Sequence, residues 1–295
     1  MRRFTMVMGT GIVANAAASL PVHPPLLLDA ARVVWALAAL LLVALLVRPV
    51  RWERTPFLGA PAMALMTVGT GAVLLEVPLR PVGVALWLTG AVLGVVSAVS
   101  VPRPERLSAV WLLPVVPPMV AAATGTVVSP RLAPVGLGLF GLALVRAAPV
   151  LLAVARGWRA EPEVPLLWIP LGILGQSVTA AAHLGVPLWG PPVLALGLAW
   201  LALVAVRTLV RRPAFSPAWW SFTFPLGTLV TGSSALGLTA LAVSLYAGLV
   251  AAWAVVGTAQ LRAYSSTKRA STLGGSVTAT ALERSTTASA WSGSK

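Results

Sequence analysis

The chain contains no cysteine and only two histidines, His23 and His183. Disulfides, thiolate metal sites and cysteine nucleophiles are thereby excluded, and so is a histidine-rich metal centre. Acidic residues are scarce as well, 7 in 295, too few to set paired carboxylates for acid–base catalysis or an acidic ring for a cation pore inside the apolar stretches. No activated nucleophile is found there either, so an enzyme is not expected. Charged residues of both signs make up 9% of the chain against 58% hydrophobic, far from the quarter charged that keeps a globular domain in water. The net charge of +14 does not point to nucleic acid, because the basic residues fall in small groups between apolar stretches and form no single basic face. No Gly-Lys-Ser/Thr follows any glycine turn, which argues against a nucleotide loop. No cofactor and no metal are expected.

What the chain does have is length in apolar residues. A membrane-crossing helix needs about 20 of them, and ten such segments follow one another: 4–20, 26–47, 57–77, 82–101, 109–128, 132–154, 164–184, 192–210, 218–237 and 238–261. Cytoplasmic loops collect Lys and Arg. With the N-terminus inside, all of the 21 basic residues except Arg32, Arg80 and Arg131 fall on the inner side. An even helix count and two cytoplasmic termini follow together. Reading Arg2, Arg3 and the first apolar run as a cleaved signal peptide would break that even count. Trp52, Trp111, Trp158, Trp168, Trp189, Trp219 and Trp220 stand near the expected helix ends, as interfacial anchors do. The stretch from Tyr264 to Lys295 is rich in Ser, Thr, Ala and Gly and reads as a disordered cytoplasmic tail, so the domain boundaries are 1–262 for the membrane domain and 263–295 for the tail.

The odd-numbered segments share a small-residue break: Gly9-Thr10-Gly11, Gly69-Thr70-Gly71, Thr124-Gly125-Thr126 and Thr231-Gly232-Ser233. Gly11 and Gly71 are 60 residues apart, Gly71 and Gly125 are 54 apart, and Gly125 and Gly232 are 107 apart, about two steps. The missing midpoint falls in the seventh segment at Gln176-Ser177-Val178-Thr179. Five copies of a helical hairpin are implied. Prolines obey the same parity, with Pro61, Pro117, Pro170 and Pro225 inside odd segments, where they are expected to kink the helix. A kinked membrane helix is tolerated where the freed carbonyls face protein or a wet cavity, so the odd helices are expected inside and the Ala/Leu/Val-rich even ones outside; Pro149 in the sixth segment departs from this rule. The alternative for Gly-Thr-Gly is tight helix packing through small residues; recurrence at five equivalent places favours a shared axial path. A path lined by Gly, Thr, Ser and Gln, with broken helices presenting backbone dipoles, suits an anion better than a cation. Asp29 and Arg32, three apart, are expected to pair at an interface, and Glu76 and His183 stand at helix ends.

The segment from Phe4 to Val13 and the run Ala218-Trp219-Trp220-Ser221-Phe222-Thr223-Phe224-Pro225 closely resemble signatures of the tellurite-resistance/dicarboxylate transporter family, which includes malate permeases, sulfite efflux pumps and plant slow anion channels. The resemblance covers about 260 residues of this chain. It implies an all-α membrane protein, ten transmembrane helices as five hairpins with quasi-fivefold symmetry around a central pore, a homotrimer in the plasma membrane, and a ninth-helix phenylalanine closing the pore. Phe224 matches that position, with Phe222 as the alternative. Gly9, Thr10, Gly11, Gly69, Thr70, Gly71, Thr124, Gly125, Gln176, Ser177, Thr231 and Gly232 are then expected along the pore. The expected cargo is a small anion such as a C4-dicarboxylate (malate) or sulfite; the alternatives are a gated chloride or nitrate channel and a non-transporting membrane accessory protein.

Overall fold

The computed structural model describes the backbone of all residues except 2, 49–54, 102–106 and 292–295, and side chains as far as 266. Arg2, Arg51, Trp52, Arg54, Arg103, Arg106 and Lys295 therefore lie outside the described residues, as do the side chains of Lys268, Arg269 and Arg284. The described residues hold ten α-helices and no strand: α1 (Phe4–Ser19), α2 (Leu27–Leu46), α3 (Gly59–Leu74), α4 (Arg80–Ser100), α5 (Val116–Val128), α6 (Ala133–Gly157), α7 (Ile169–His183), α8 (Gly190–Arg211), α9 (Thr223–Ala235) and α10 (Thr239–Trp291). Seven helical stretches are long and apolar enough to cross a membrane, and α1 and α5 are shorter apolar helices. The chain divides into two compact units, Met1–Trp253 and Ala254–Lys295. The second is the continuation of α10.

The odd helices are shorter than the apolar runs because each of α3, α5, α7 and α9 is preceded by a 3₁₀ segment, at Pro56–Leu58, Ala109–Leu112, Val164–Trp168 and Pro217–Phe222. This corrects the expectation of mid-helix kinks. Pro61 and Pro225 are the third residues of α3 and α9, and Pro117 and Pro170 the second residues of α5 and α7. In a first turn the missing N–H has no intrahelical partner to lose. The prolines mark where the tighter 3₁₀ coil opens into α-helix. Pro149 does lie inside α6.

At their far ends α3, α7 and α9 reverse in the same way. Glu76, Gly185 and Gly237 take positive φ of 51°, 74° and 72°, and the next amides close the helices through Val77 N–H to Ala72 O (3.1 Å), Val186 to Ala181 (2.8 Å) and Leu238 to Ser233 (3.0 Å). This is the glycine-favoured left-handed stop. Glu76 performs it with a Cβ in place.

Packing separates the two parities. Nearly every residue of α1, α3, α7 and α9 is buried, whereas only Ala31, Ala38 and Leu42 are buried in α2, and four residues in α8. α1 packs on α3, α3 on α5, α5 on α7, α7 on α9, and α9 back on α1, so five inner helices close a ring. Outside it, α2, α4, α6 and α8 each lie on the inner helix before them and touch the one after. Four tryptophans tie outer helices to inner elements through their indole N–H: Trp35 to Val68 O (2.9 Å), Trp87 to Thr124 Oγ1 (2.8 Å), Trp200 to Leu167 O (2.9 Å) and Trp253 to Thr10 Oγ1 (3.2 Å). Asp29 and Arg32 form the expected exposed pair at 2.7 Å.

Candidate functional site

The ring of inner helices encloses a cavity of about 230 Å3, and all five supply its walls. Ile12, Asn15 and Ser19 come from α1; Thr67, Thr70 and Leu74 from α3; Val120, Ala123, Thr124 and Val127 from α5. Gln176, Thr179 and His183 come from α7, and Phe224, Thr231, Ser234 and Ala235 from α9. The residues around the middle of the helices are buried, while Ser19, Leu74, Val127, His183, Ser234 and Ala235, near the C-terminal ends, are partly or well exposed. The cavity therefore opens at the end of the ring where the odd helices stop, and Phe224, 3% exposed, stands at the closed end. α9 starts at Thr223, one residue before that ring, which puts the positive end of its dipole at the same level.

The walls mix apolar side chains with hydroxyls and amides and carry no Asp, Glu, Lys or Arg; His183 is the one titratable side chain among them. Its Nδ1 lies 2.7 Å from the Ala123 carbonyl, so that nitrogen carries the hydrogen. Several wall groups are tied down. Asn15 Nδ2 donates to Thr67 O (3.0 Å), the hydroxyls of Thr179 and Thr231 are 3.0 Å apart, and Thr124 accepts from Trp87 while donating to Val120 O (2.7 Å). Others are not. Asn15 Oδ1, Thr70 Oγ1, Gln176 Oε1 and Ser234 Oγ are buried without a hydrogen-bond partner. An unpaired buried polar atom costs about 1–3 kcal/mol and is uncommon in a folded chain. Four of them around one small cavity mark it as a place where a polar solute can be met. Among the described residues no three His, Asp or Glu side chains gather to hold a metal.

Of the residues singled out in the sequence, Thr70, Thr124, Gln176, Thr231 and Phe224 line this cavity, and the rest do not. The glycines face neighbouring helices. A Cβ on Gly69 would lie 2.5 Å from Gly83 O and 2.8 Å from Trp87 N, one on Gly71 would meet Trp35 and Asn15, and one on Gly232 would stand 3.1 Å from Gly175 O. Gly9 backs onto Trp220 and Thr223, Gly11 onto Thr67, and Gly125 onto Trp87 and Leu132. These residues let helices approach closely; they do not narrow a lumen. Thr10 and Ser177 turn their hydroxyls to Trp253 and Trp189 (3.2 Å each). Phe222 lies in an aromatic cluster, its ring 4.9 Å from Trp168 and 5.5 Å from Trp219, while Phe224 lies over Gly172, where a Cβ would be 3.9 Å from its Cδ1. The wall residues missed in the sequence sit one turn from those nominated: Asn15 follows Gly11 by four, Thr67 precedes Thr70 by three, and Thr179 and Ser234 follow Gln176 and Thr231 by three. Helical periodicity applied to each break could have found them.

Fold and cavity together define an integral membrane protein whose inner helices enclose a chamber with hydroxyl and amide groups in its wall, sized for a small solute. Residues 1–261 match the family described as SLAC1, voltage-dependent anion channel, and the chain belongs to that family. It is thus a membrane-spanning member of a family of anion channels and transporters. The chain is 28% identical over 176 residues to sulfite efflux pumps of Trichophyton rubrum and Arthroderma otae, covering 45% of this chain and 46% of each of theirs, so it spans about half the length of these relatives. It is 22% identical over 288 residues to an uncharacterized transporter of Methanocaldococcus jannaschii, covering 78% of this chain and 82% of that one.

Proposed function

We propose that the chain carries a small anion through the centre of the inner ring, unchanged chemically, with Phe224 as the gate. The observation that carries this reading is the cavity whose wall all five odd helices supply, which holds the Thr70 and Ser234 hydroxyls, able to donate to an anion, together with Phe224 and no Asp, Glu, Lys or Arg. An anion entering from the open end meets hydroxyls that can donate to it in place of water, with no fixed carboxylate to repel it. Its path is then stopped by an apolar ring at the blind end, so passage needs that ring to swing aside. The family resemblance supports ten membrane-spanning helices in five quasi-symmetric hairpins and a plasma-membrane homotrimer with one pore per chain, and the placing of Lys and Arg supports two cytoplasmic termini.

Sulfite is the cargo favoured by the fungal relatives' names, and a C4-dicarboxylate such as malate is the next candidate. A gated channel for chloride or nitrate is the second reading, favoured by the family's description as voltage-dependent anion channel. Flux of sulfite, malate, chloride and tellurite into liposomes bearing the purified chain separates these. Saturable sulfite or malate uptake supports the carrier. Linear, uncoupled chloride current makes it a channel, and no anion flux, even after Phe224→Ala, would leave a non-transporting membrane protein.

A further inference from the structure

A second cavity, of about 320 Å3, lies at the opposite end of α7 and α8, lined by Arg159, Glu161, Val164, Arg207, Arg211 and Pro213 among others. Two of its arginines are held in place. Arg207 Nη2 donates to the carbonyls of Arg159 (3.1 Å) and Glu161 (2.9 Å), and the guanidiniums of Arg207 and Arg159 lie 5.3 and 5.4 Å from the Trp158 ring centroid. Stacking of this kind orders the planar fork before any ligand arrives. Arg207 Nε is buried and has no partner. The charge is left over as well: Asp29–Arg32 is the only ion pair among the described residues, and Glu161, the one carboxylate in the wall, accepts from the Glu163 amide at 3.2 Å. Three cations against one anion, with free guanidinium donors, are the chemistry of a phosphate site.

The surroundings say what carries the phosphate. Arg207 and Arg211 are one turn apart on α8, and beside them Val206, Leu209 and Val210 are 61%, 73% and 75% exposed. A guanidinium row next to an exposed apolar row, at the end of a membrane-length helix, offers a head-group contact and an acyl-chain contact together. We infer that this pocket holds the phosphate of an anionic phospholipid whose acyl chains lie along the outer face of α8. A zwitterionic head group, which brings its own cation, fits the excess positive charge less well. The inference does not depend on which anion the central cavity carries.

The test is lipid retention by the purified full-length chain, read by native mass spectrometry, with phosphatidylglycerol, phosphatidylcholine or inorganic phosphate added. The wild type should retain phosphatidylglycerol in preference to phosphatidylcholine. The double variant Arg159→Gln, Arg211→Gln, which spares the loop-tying Arg207, should bind phosphatidylglycerol about 30-fold more weakly. Arg211→Gln alone, at an exposed position, should show an intermediate loss and serves if the double variant does not fold. Equal retention of the two lipids by the wild type would overturn the inference, as would unchanged binding by a variant that melts like the wild type. Inorganic phosphate that raises the melting temperature as much as phosphatidylglycerol would assign the pocket to a soluble phosphate and remove the lipid.

Discussion

The seventh and eighth helices are neighbours in sequence, six residues apart, and their fates are opposite. In the membrane-length stretch ending at His183, 94% of the best apolar window is buried, against 17% for Gly190–Arg211. The buried one is the less apolar of the two. In water that order would be reversed, because the hydrophobic effect drives the most apolar surface inward. In lipid the outside is as apolar as leucine, and helices associate through close packing and hydrogen bonds. Small and hydroxylated residues therefore go to the middle: α7 offers Gly175, whose added Cβ would meet the Thr228 backbone at 2.6 Å, along with Gln176, Ser177 and Thr179. Leu196, Val206, Leu209 and Val210 of α8 face outward at more than half exposure. The same helices that pack best also carry the polar atoms a solute would need.

The largest break in this inner–outer contrast should come at the blind end of the cavity. Phe224→Ala removes the one phenyl ring in the cavity wall and should raise anion flux in liposomes at least about tenfold, a barrier change near 1.4 kcal/mol. Phe222→Ala, in the aromatic cluster outside the cavity, should leave the flux near wild type and lower stability instead. Equal flux from both variants would remove the gate from Phe224.

A methyl group tests the packing side of the contrast. Gly69→Ala on the inner ring forces a Cβ against two backbone atoms of α4 and should destabilise by about 3 kcal/mol, seen as a lower melting temperature and poor recovery from detergent. Gly138→Ala on outer α6 has nothing within 4 Å of the new Cβ and should be neutral or stabilising by up to about 1 kcal/mol. A smaller effect is expected from Trp87→Phe, which keeps an aromatic ring but shortens it and leaves Thr124 without its indole donor; about 1–2 kcal/mol of stability should be lost. Smallest, and opposite in sign, is Glu76→Gly. It places glycine where α7 and α9 already have it and should raise stability by somewhat under about 1 kcal/mol by relieving the left-handed backbone. A lower melting temperature for that variant would mean that the Glu76 side chain makes up for its strain.

Much of this was legible in the residues. The ten apolar segments match the ten helices to within a few residues at most ends, because length and hydropathy are local properties. Parity was legible in part: the Gly/Thr breaks at 9–11, 69–71, 124–126 and 231–233 and the prolines Pro61, Pro117, Pro170 and Pro225 fall in odd segments, although Pro149 and Thr89-Gly90 fall in even ones. Direction was not. Gly69 and Thr70 are adjacent, yet one meets α4 and the other the cavity, and about 100° of helical rotation per residue cannot be referenced to an axis until the neighbours are in place. The first-turn prolines were misjudged for a related reason: the apolar run does not say where 3₁₀ coil gives way to α-helix, so Pro61 and Pro225 counted as interior.

By itself the sequence determined that this is an α-helical membrane protein, poor in fixed charge, since the bilayer demands runs of apolar residues whose backbone polar groups are satisfied within the helix. Tertiary structure alone decided which hydroxyls remain free. Thr10 and Thr70 occupy matching places in two Gly-Thr-Gly breaks; the first accepts a hydrogen bond from Trp253 on α10, and the second is left unpartnered at the cavity. A side chain's partner depends on what the fold brings within about 3 Å, and for Thr10 that partner lies 243 residues away.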